Sequence, residues 1–171
     1  MLRRARPLFR QTLIALAAVG LAVAQKQLPV QVHGLGSGTV LLDGLWQFHP
    51  GDNPAWASPE LDVSTGHNGW EELTADQPWG LQGHYNYTGF AWYRREIRVS
   101  AGQEPQPELA LLMQNVDDAY EVYWNGALVG GSGKLPPNPL LYFDQPDQIY
   151  PLGPSRSGVL AVRVWMPAPT S

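Results

Sequence analysis

The chain has 171 residues, a formal net charge of −4 and no cysteine. This length is enough for one domain with its own hydrophobic core. Only 15% of the residues are charged, and the 18 glycines and 16 prolines are typical of short strands joined by turns. The acidic balance argues against a nucleic-acid partner, and the lack of cysteine excludes disulfide bonds.

Residues 1–24 predict a cleaved secretory signal peptide. Four arginines precede an uninterrupted apolar run at residues 13–24, which ends in the small-x-small cleavage pattern Ala22-Val23-Ala24. As a helix this run would span about 18 Å, less than the ~30 Å hydrocarbon core of a membrane; an uncleaved anchor is the alternative. Export without disulfides suits a bacterial periplasm. We therefore expect an exported bacterial protein, periplasmic or extracellular.

The remainder divides into three parts by composition. Residues 25–39 predict a polar, glycine-rich lead-in, residues 40–166 the folded domain, and residues 167–171 a tail or truncated linker. No stretch shows the 3.6-residue periodicity of a helix, and residues 49–89 contain too much proline and glycine for helices. A connection this long inside a compact domain is usually functional or anchored by buried aromatic residues, for which Trp56, Trp70 and Trp79 are the candidates.

Several segments alternate as β-strands do. In residues 90–99, Trp92 and Arg94 fall on the face opposite Ala91 and Tyr93. Arg95 falls on the apolar face, which indicates either a bulge or an arginine paired with a buried carboxylate. Residues 109–116 are apolar almost throughout and predict a central strand covered on both faces.

The strongest turn signal is Asn125-Gly126, which lies between two apolar segments. Both central residues of a type I′ turn need a positive φ, and Asn and Gly tolerate it best. Residues 159–165 predict the last strand. We therefore predict an all-β fold, a sandwich or jelly roll.

Five segments in consistent order resemble the N-terminal sugar-binding domain of glycoside hydrolase family 2, a galactose-binding-like jelly roll. They cover about three-quarters of the chain: residues 42–48 (LDGLWQF), 78–80 (PWG), 87–99 (YTGFAWYRREIRV), 115–131 (NVDDAYEVYWNGALVGG) and 158–165 (GVLAVRVW). The resemblance implies that the Asn-Gly hairpin is architectural and that the catalytic glutamates belong to a barrel outside this chain. The chain is also similar to the exported input domains of bacterial membrane signalling proteins, which carry output domains of several kinds.

The carboxylates do not predict a catalytic pair. Asp117 and Asp118 are adjacent, so in a strand they point to opposite faces, whereas glycoside hydrolysis needs two carboxylates across a cleft. We expect one of them to support a turn or to pair with Arg95. Glu71 and Glu72 fail for the same reason.

We expect no cofactor and no metal. The histidines, His33, His49, His67 and His84, lack zinc-ligand spacing. A calcium site is the remaining alternative, since oxygen ligands are available from Asp43, Asp52, Asp62 and Asp144.

The best candidate for ligand binding is the aromatic segment at residues 79–92. A sugar site needs a flat ring under the sugar's apolar face and polar groups for its hydroxyls. The candidate ligand residues are Trp79, Gln82, His84, Tyr85, Asn86, Tyr87 and Lys134. The alternative is that Trp79, Phe90 and Trp92 only pack in the core.

Two functions follow from these patterns. The first is a non-catalytic, exported carbohydrate-binding module that senses a saccharide for a membrane-bound signalling output domain. The second is a structural domain that docks on a partner protein, or on the rest of a family 2-like enzyme, without sugar affinity. An exposed aromatic cleft near Tyr85 would favour the first, and a flat exposed apolar patch would favour the second.

Overall fold

This computed structural model describes residues 27–35, 38–64, 66, 68–100, 108–114, 116, 118–143 and 145–169. The predicted signal peptide, residues 1–24, therefore lies outside the described residues. Within the described part, the strands are β1 (Val30–Val32), β2 (Leu45–Pro50), β3 (Glu71–Thr74), β4 (Gly89–Val99), β5 (Leu109–Met113), β6 (Ala119–Trp124), β7 (Ala127–Ser132), β8 (Gln148–Gly153) and β9 (Ser157–Met166). Between β2 and β4, where no helix was expected, the chain forms two single 3₁₀ turns, Pro54–Ala57 and Trp79–Gln82. None of the described helices is long and apolar enough to cross a membrane.

The strands form a large sheet in the order β3-β2-β4-β9-β6-β7 and a small sheet of β5 and β8. Strand β1 adds to the large sheet by pairing in parallel with β4, and every other pairing is antiparallel. This architecture confirms the predicted all-β jelly-roll sandwich. Part of the predicted lead-in, β1, belongs to this sheet, and its Val32 is buried in the core.

The main core lies between the two sheets. Phe48, Val122 and Leu160 of the large sheet are fully buried there, and Tyr150 of β8 packs against them. The Tyr150 hydroxyl lies 3.1 Å from that of Tyr120. A Cβ on Gly130 would lie 2.1 Å from the Tyr150 ring, so only glycine allows the small sheet to pack this closely.

The opposite, back face of the large sheet is covered by the connection between β2 and β3. Trp56 packs edge-to-face on Trp70 and Trp92, with ring centroids 5.6 and 6.3 Å apart. Trp92 is 0% and Arg94 2% exposed, so the side of β4 that carries the alternate polar residues forms a second core. Trp56 and Trp70 thus anchor this connection, as the sequence predicted.

Arg95 corrects the expectation of a bulge. Strand β4 pairs with β9 without a register shift, so there is no bulge at this position. The Arg95 guanidinium donates hydrogen bonds to the carbonyls of Leu42 and Asp43 and lies over the Trp46 ring, 5.6 Å from its centroid. Backbone carbonyls and an aromatic ring therefore hold this arginine on the apolar face.

The prediction of a central strand at residues 109–116 covered on both faces is wrong. Strand β5 ends at Met113 and pairs only with β8 among the described residues. Leu109 and Leu111 face the core, whereas Ala110 and Leu112 face solvent. The apolar run reflects one buried face and one apolar face that no described residue covers.

The Asn-Gly hairpin is confirmed. Asn125 and Gly126 have φ values of 51° and 82° and join β6 to β7, as a type I′ turn requires. The Asn125 side chain also accepts a hydrogen bond from the backbone N–H of Val159, at 2.9 Å. The turn therefore ties β9 to the hairpin as well as reversing the chain.

Candidate binding site

Trp79 and Tyr87 lie on the inner side of the loop before β4, which contains most of the candidate binding residues. Trp79 is 4% exposed, and its indole N–H donates a hydrogen bond of 3.2 Å to the Tyr87 carbonyl. The Tyr87 ring packs edge-on against it at 6.0 Å, and the Tyr87 hydroxyl donates to the Phe90 carbonyl at 2.5 Å. Trp79 therefore belongs to the core of the sandwich, and the half-buried Tyr87 ring packs against it.

Gln82 closes the loop onto the end of β3. Its side-chain oxygen accepts a hydrogen bond from the Thr74 backbone N–H at 2.8 Å. Its amide nitrogen donates to the carbonyls of Thr74 and Gln77, both at 2.9 Å. Because its oxygen and its nitrogen are both hydrogen-bonded, the Gln82 amide holds the loop against the end of β3.

His84 is held in a similar way. Its Nε2 lies 2.8 Å from a carboxylate oxygen of Glu71, and its side chain is only 17% exposed. The imidazole packs on the Phe48 ring with centroids 4.9 Å apart. This contact anchors the turn before β4 to the start of β3.

Tyr85 and Asn86 are the predicted residues that face solvent on this loop. Tyr85 is 82% exposed, and Asn86 is exposed with a φ of 66°. A ring and an amide therefore stand side by side at the tip of the loop. The Tyr85 ring is exposed on the surface and does not line a cleft among the described residues.

Lys134 lies at the same end of the sandwich but on another loop. Lys134 follows β7. In the strand order β4-β9-β6-β7, three strand spacings separate β7 from β4, which corresponds to a distance of about 14 Å between these two strands. Lys134 is exposed and pairs through its backbone with Leu140. The exposed Tyr142 and Phe143 follow at once along this loop, so Lys134 is grouped with them and not with Tyr85.

Four of the acidic residues, Asp52, Glu71, Glu72 and Glu121, are engaged in structural contacts. Arg163 donates from Nε and Nη2 to the two carboxylate oxygens of Asp52, at 2.8 and 2.6 Å, and from Nη1 to Glu121 at 3.0 Å. This group, the Arg163 clasp, joins the β2–β3 connection to β9 and β6. Glu71 and Glu72 take different partners, His84 and Gln47.

No metal site is formed by the described part of the chain, in which no three His, Cys, Asp or Glu side chains converge. Asp144, His67 and Asp117 lie outside the described residues. Asp52, one of the four calcium candidates, is held in the Arg163 clasp.

The outer surface of the small sheet is a feature that sequence reasoning missed. Ala110 pairs with Pro151 and Leu112 with Ile149 across the two strands, and all four side chains are exposed, Ile149 by 67%. These four residues, the outer apolar face, form a flat block without a polar side chain. The signal was present in the sequence as the continuous apolar run of β5.

A polar hollow lies on the back face, under residues 59–64, with a volume of about 60 Å³. Arg94 lines it, and its Nη1 donates to the carbonyl of Ser58 at 2.9 Å and to that of Trp56. Burial lowers the Arg94 pKa to about 10, because the charged guanidinium loses its water without gaining a carboxylate. The sequence placed Arg94 on a polar strand face and gave no sign of this hollow.

No protein-family model matches this chain, and no curated protein matches it. Solved structures do. Bacteroides uniformis β-glucuronidase is similar at 22% identity with a TM-score of 0.55, over 74% of this chain and 15% of that chain. Bifidobacterium dentium β-glucuronidase in complex with coumarin-3-O-glucuronide is similar at 20% identity with a TM-score of 0.52, over 72% of this chain and 19% of that chain. A glycosyl hydrolase family 2 member from Bacteroides cellulosilyticus is similar at 17% identity with a TM-score of 0.53, over 72% of this chain and 17% of that chain.

At these identities the likeness shows a shared fold. The chain spans less than a fifth of the length of these three glycosidases. It therefore has the fold of one small β-sandwich unit of much longer enzymes.

Proposed function

We propose that this chain is a non-catalytic β-sandwich module that docks, through its outer apolar face, on another folded domain. The observation that carries the proposal is the exposed block of Ala110, Leu112, Ile149 and Pro151 on the small sheet. Sheets of soluble domains usually place polar side chains on a solvent face, and a contiguous exposed apolar patch commonly marks an interaction surface.

The small sheet is suited to such a contact in a second way. Among the described residues, β5 and β8 pair only with each other, so each has one open edge. Open edges are usually protected by charge or by a covering element. A partner that covers the apolar face would shield these edges as well.

We infer that the partner is another domain of a family 2-like glycosidase, encoded in the same polypeptide or in a separate one. The similar structures support this choice, because in each of them the shared fold occupies less than a fifth of a longer glycosidase chain. Catalysis would then belong to the partner, and this chain alone should release no nitrophenol from nitrophenyl glycosides.

A photo-crosslinking experiment tests the docking role. Leu112 of the full chain is replaced by a benzophenone amino acid and expressed in the cells from which the gene derives; Leu128, equally apolar and 59% exposed on β7, is the matched control position. We expect an adduct from position 112 with a glycoside hydrolase domain, and its loss when Ile149→Lys is added. Adducts only with a second copy of the chain, equal adducts from both positions, or no adduct would refute the proposal.

A second candidate function, sugar contact at the loop tip, rests on the adjacent exposed Tyr85 ring and Asn86 amide. Stacking of a sugar on such a ring is worth roughly 1 kcal/mol, about a fivefold change in affinity. Calorimetry with the saccharides that score on a glycan array should show this loss for Tyr85→Ala. The control Leu81→Ala, 78% exposed on the same loop, should bind as before. Equal effects of the two variants, or no binding to any neutral or acidic saccharide, would remove this candidate.

The sugar-contact role carries a cellular context with it. We infer that the predicted signal peptide exports the chain and that it senses a saccharide as the input part of a bacterial membrane signalling protein. The sequence resemblance to such input domains supports this context. Protease protection in intact cells tests the export, and a fusion reporter that responds to the bound saccharide tests the sensing.

A further inference from the structure

The loop between β7 and β8 is closed by a short antiparallel bridge. Lys134 and Leu140 exchange both backbone hydrogen bonds, at 2.8 and 3.0 Å. In such a pair the two opposite side chains point to the same face, with Cβ atoms about 4.5–5.5 Å apart. Both residues are exposed, so this face is turned to solvent. The bridge therefore fixes where the Lys134 side chain leaves the surface.

Tyr142 falls on the same face of this loop. Leu141 and Tyr142 form no turn or bend, and in an extended chain alternate residues share a face. The exposures agree with this alternation, because Leu140 and Tyr142 are 41% and 44% exposed and Leu141 between them is half-buried. The Tyr142 ring is then diagonal to Lys134, with Cβ atoms about 7–8 Å apart. The long lysine side chain can reach across this distance.

Lys134 is a cation without a partner in the described part of the chain. Arg98 and Arg163 form ion pairs with carboxylates, and Arg94 and Arg95 donate to backbone carbonyls. The Lys134 ammonium makes no hydrogen bond or ion pair with any described residue. Its positive charge is therefore open to a ligand.

An open ring beside a free ammonium matches one class of ligand. The apolar face of a sugar stacks on an exposed aromatic ring, and a carboxylate pairs with an ammonium. A sugar that carries a carboxylate makes both contacts at once, whereas a neutral sugar makes only the first. The net charge of −4 repels anions, but at physiological ionic strength this repulsion is screened beyond about 8 Å. The local pair therefore decides the preference.

We propose that Lys134 and Tyr142 form a surface site for a carboxylate-bearing saccharide, whose ring stacks on Tyr142 and whose carboxylate pairs with Lys134. The site lies on the β7–β8 loop, three strand spacings or about 14 Å from the loop of Tyr85, and it uses no residue of the outer apolar face. The proposal goes beyond both functions given above, and its failure would leave them untouched.

An amide-shift titration of the full chain by ¹⁵N NMR tests the site. The probe is galacturonate, and galactose is the matched ligand with a hydroxymethyl group in place of the carboxylate. We expect saturable shifts at residues 134, 140 and 142, with half-saturation at roughly 10 mM for galacturonate and about threefold to fivefold weaker binding of galactose. Shifts that stay linear or lie elsewhere would overturn the proposal, and so would equal affinity for the two sugars.

Two further probes separate a saccharide from other anionic partners. Polyglutamate presents carboxylates without a sugar ring, and phosphatidylserine vesicles present an anionic membrane surface. Both should shift residues 134–142 less than galacturonate at the same concentration of charge. A stronger response to either probe would overturn the assignment of a saccharide.

Three variants locate the contacts. Tyr142→Ala should weaken binding of both sugars about fivefold. Lys134→Met should lower the affinity for galacturonate to that for galactose, and Lys134→Arg should retain the preference. Tyr85→Ala is the matched control, because it removes the same type of ring, 82% exposed, from the other loop; it should bind galacturonate as before.

Thermal melting verifies that each variant is folded. Unchanged galacturonate binding in a folded Tyr142→Ala or Lys134→Met protein would refute the site. Loss of binding in Tyr85→Ala alone would also refute it, while supporting sugar contact at the other loop.

Discussion

The Arg163 clasp gives the sharpest prediction about what holds the β2–β3 connection on the back face. Asp52→Ala removes two charge-assisted hydrogen bonds to Arg163, of 2.8 and 2.6 Å, and one from the Trp92 indole at 3.3 Å. The two charged side chains are 16% and 29% exposed, so solvent screens their interaction only in part.

The size of the effect follows from these contacts. A hydrogen bond to a charged group contributes about 1.5–3 kcal/mol, but Arg163 keeps its bond to Glu121 in the variant. We therefore expect Asp52→Ala to lower the free energy of unfolding by about 2–3 kcal/mol, which corresponds to a fall in Tm of roughly 4–12 °C for a domain of this size.

A double-mutant cycle in calorimetry measures the interaction directly. Asp52→Ala, Arg163→Met and the double variant should give a coupling free energy of about 1–2 kcal/mol. The control is Glu96→Ala, since the Glu96–Arg98 pair has a similar distance of 2.8 Å but Arg98 is 55% exposed; it should cost less than about 0.5 kcal/mol. If Asp52→Ala and Glu96→Ala melt alike, or if the cycle shows no coupling, the reasoning about the clasp is wrong.

The remaining predictions concern burial, the loop anchor and pH. Trp70→Ala should lower the free energy of unfolding by about 3–5 kcal/mol, because the ring is buried. Leu112→Ala on the outer apolar face should change it by less than about 1 kcal/mol. Guanidinium titrations compare the two variants, and similar losses of stability would contradict the burial pattern. His84→Ala should speed amide exchange at residues 84–87 far more than in the core strands, and equal acceleration in both regions would refute a local anchor. Burial, together with the hydrogen bond to Glu121, raises the Tyr123 pKa to about 12. The pKa of a tyrosine is near 10 in an unfolded chain, so protonated Tyr123 stabilises the folded state fully below about pH 10, and this stabilisation is lost as the pH rises through about 12. The guanidinium midpoint of unfolding should therefore fall less between pH 9 and 12 in Tyr123→Phe than in the unchanged protein. An identical fall in both proteins would contradict this assignment.

Local signals predicted the fold class well. The Asn125-Gly126 turn depends on two residues that tolerate a positive φ, and this preference acts without help from the rest of the chain. The alternation in residues 90–99 likewise predicted strand β4. The tryptophans of the β2–β3 connection were expected to anchor it because a long connection that is not functional is usually held by buried aromatic side chains.

The candidate binding residues show where such reasoning stops. Composition cannot separate an aromatic ring that stacks on a ligand from one that packs in a core. Of the six candidate residues in this loop, Trp79 is buried in the core, Tyr87 packs against it, Gln82 and His84 hold the loop in place, and Tyr85 and Asn86 face solvent. Each assignment depends on a contact with β2, β3 or β4.

By itself, the sequence determined that this protein is built of strands, and where its tightest turn lies, because side-chain alternation and positive-φ preferences act over a few neighbouring residues. Only the tertiary structure decided which strand faces are covered. Trp92 and Arg94, expected on a polar face, are buried because the β2–β3 connection folds over them, and Leu112, expected in a buried strand, is exposed because nothing in the described chain lies above it. Burial is a relation between distant segments, so the period of one strand cannot specify it.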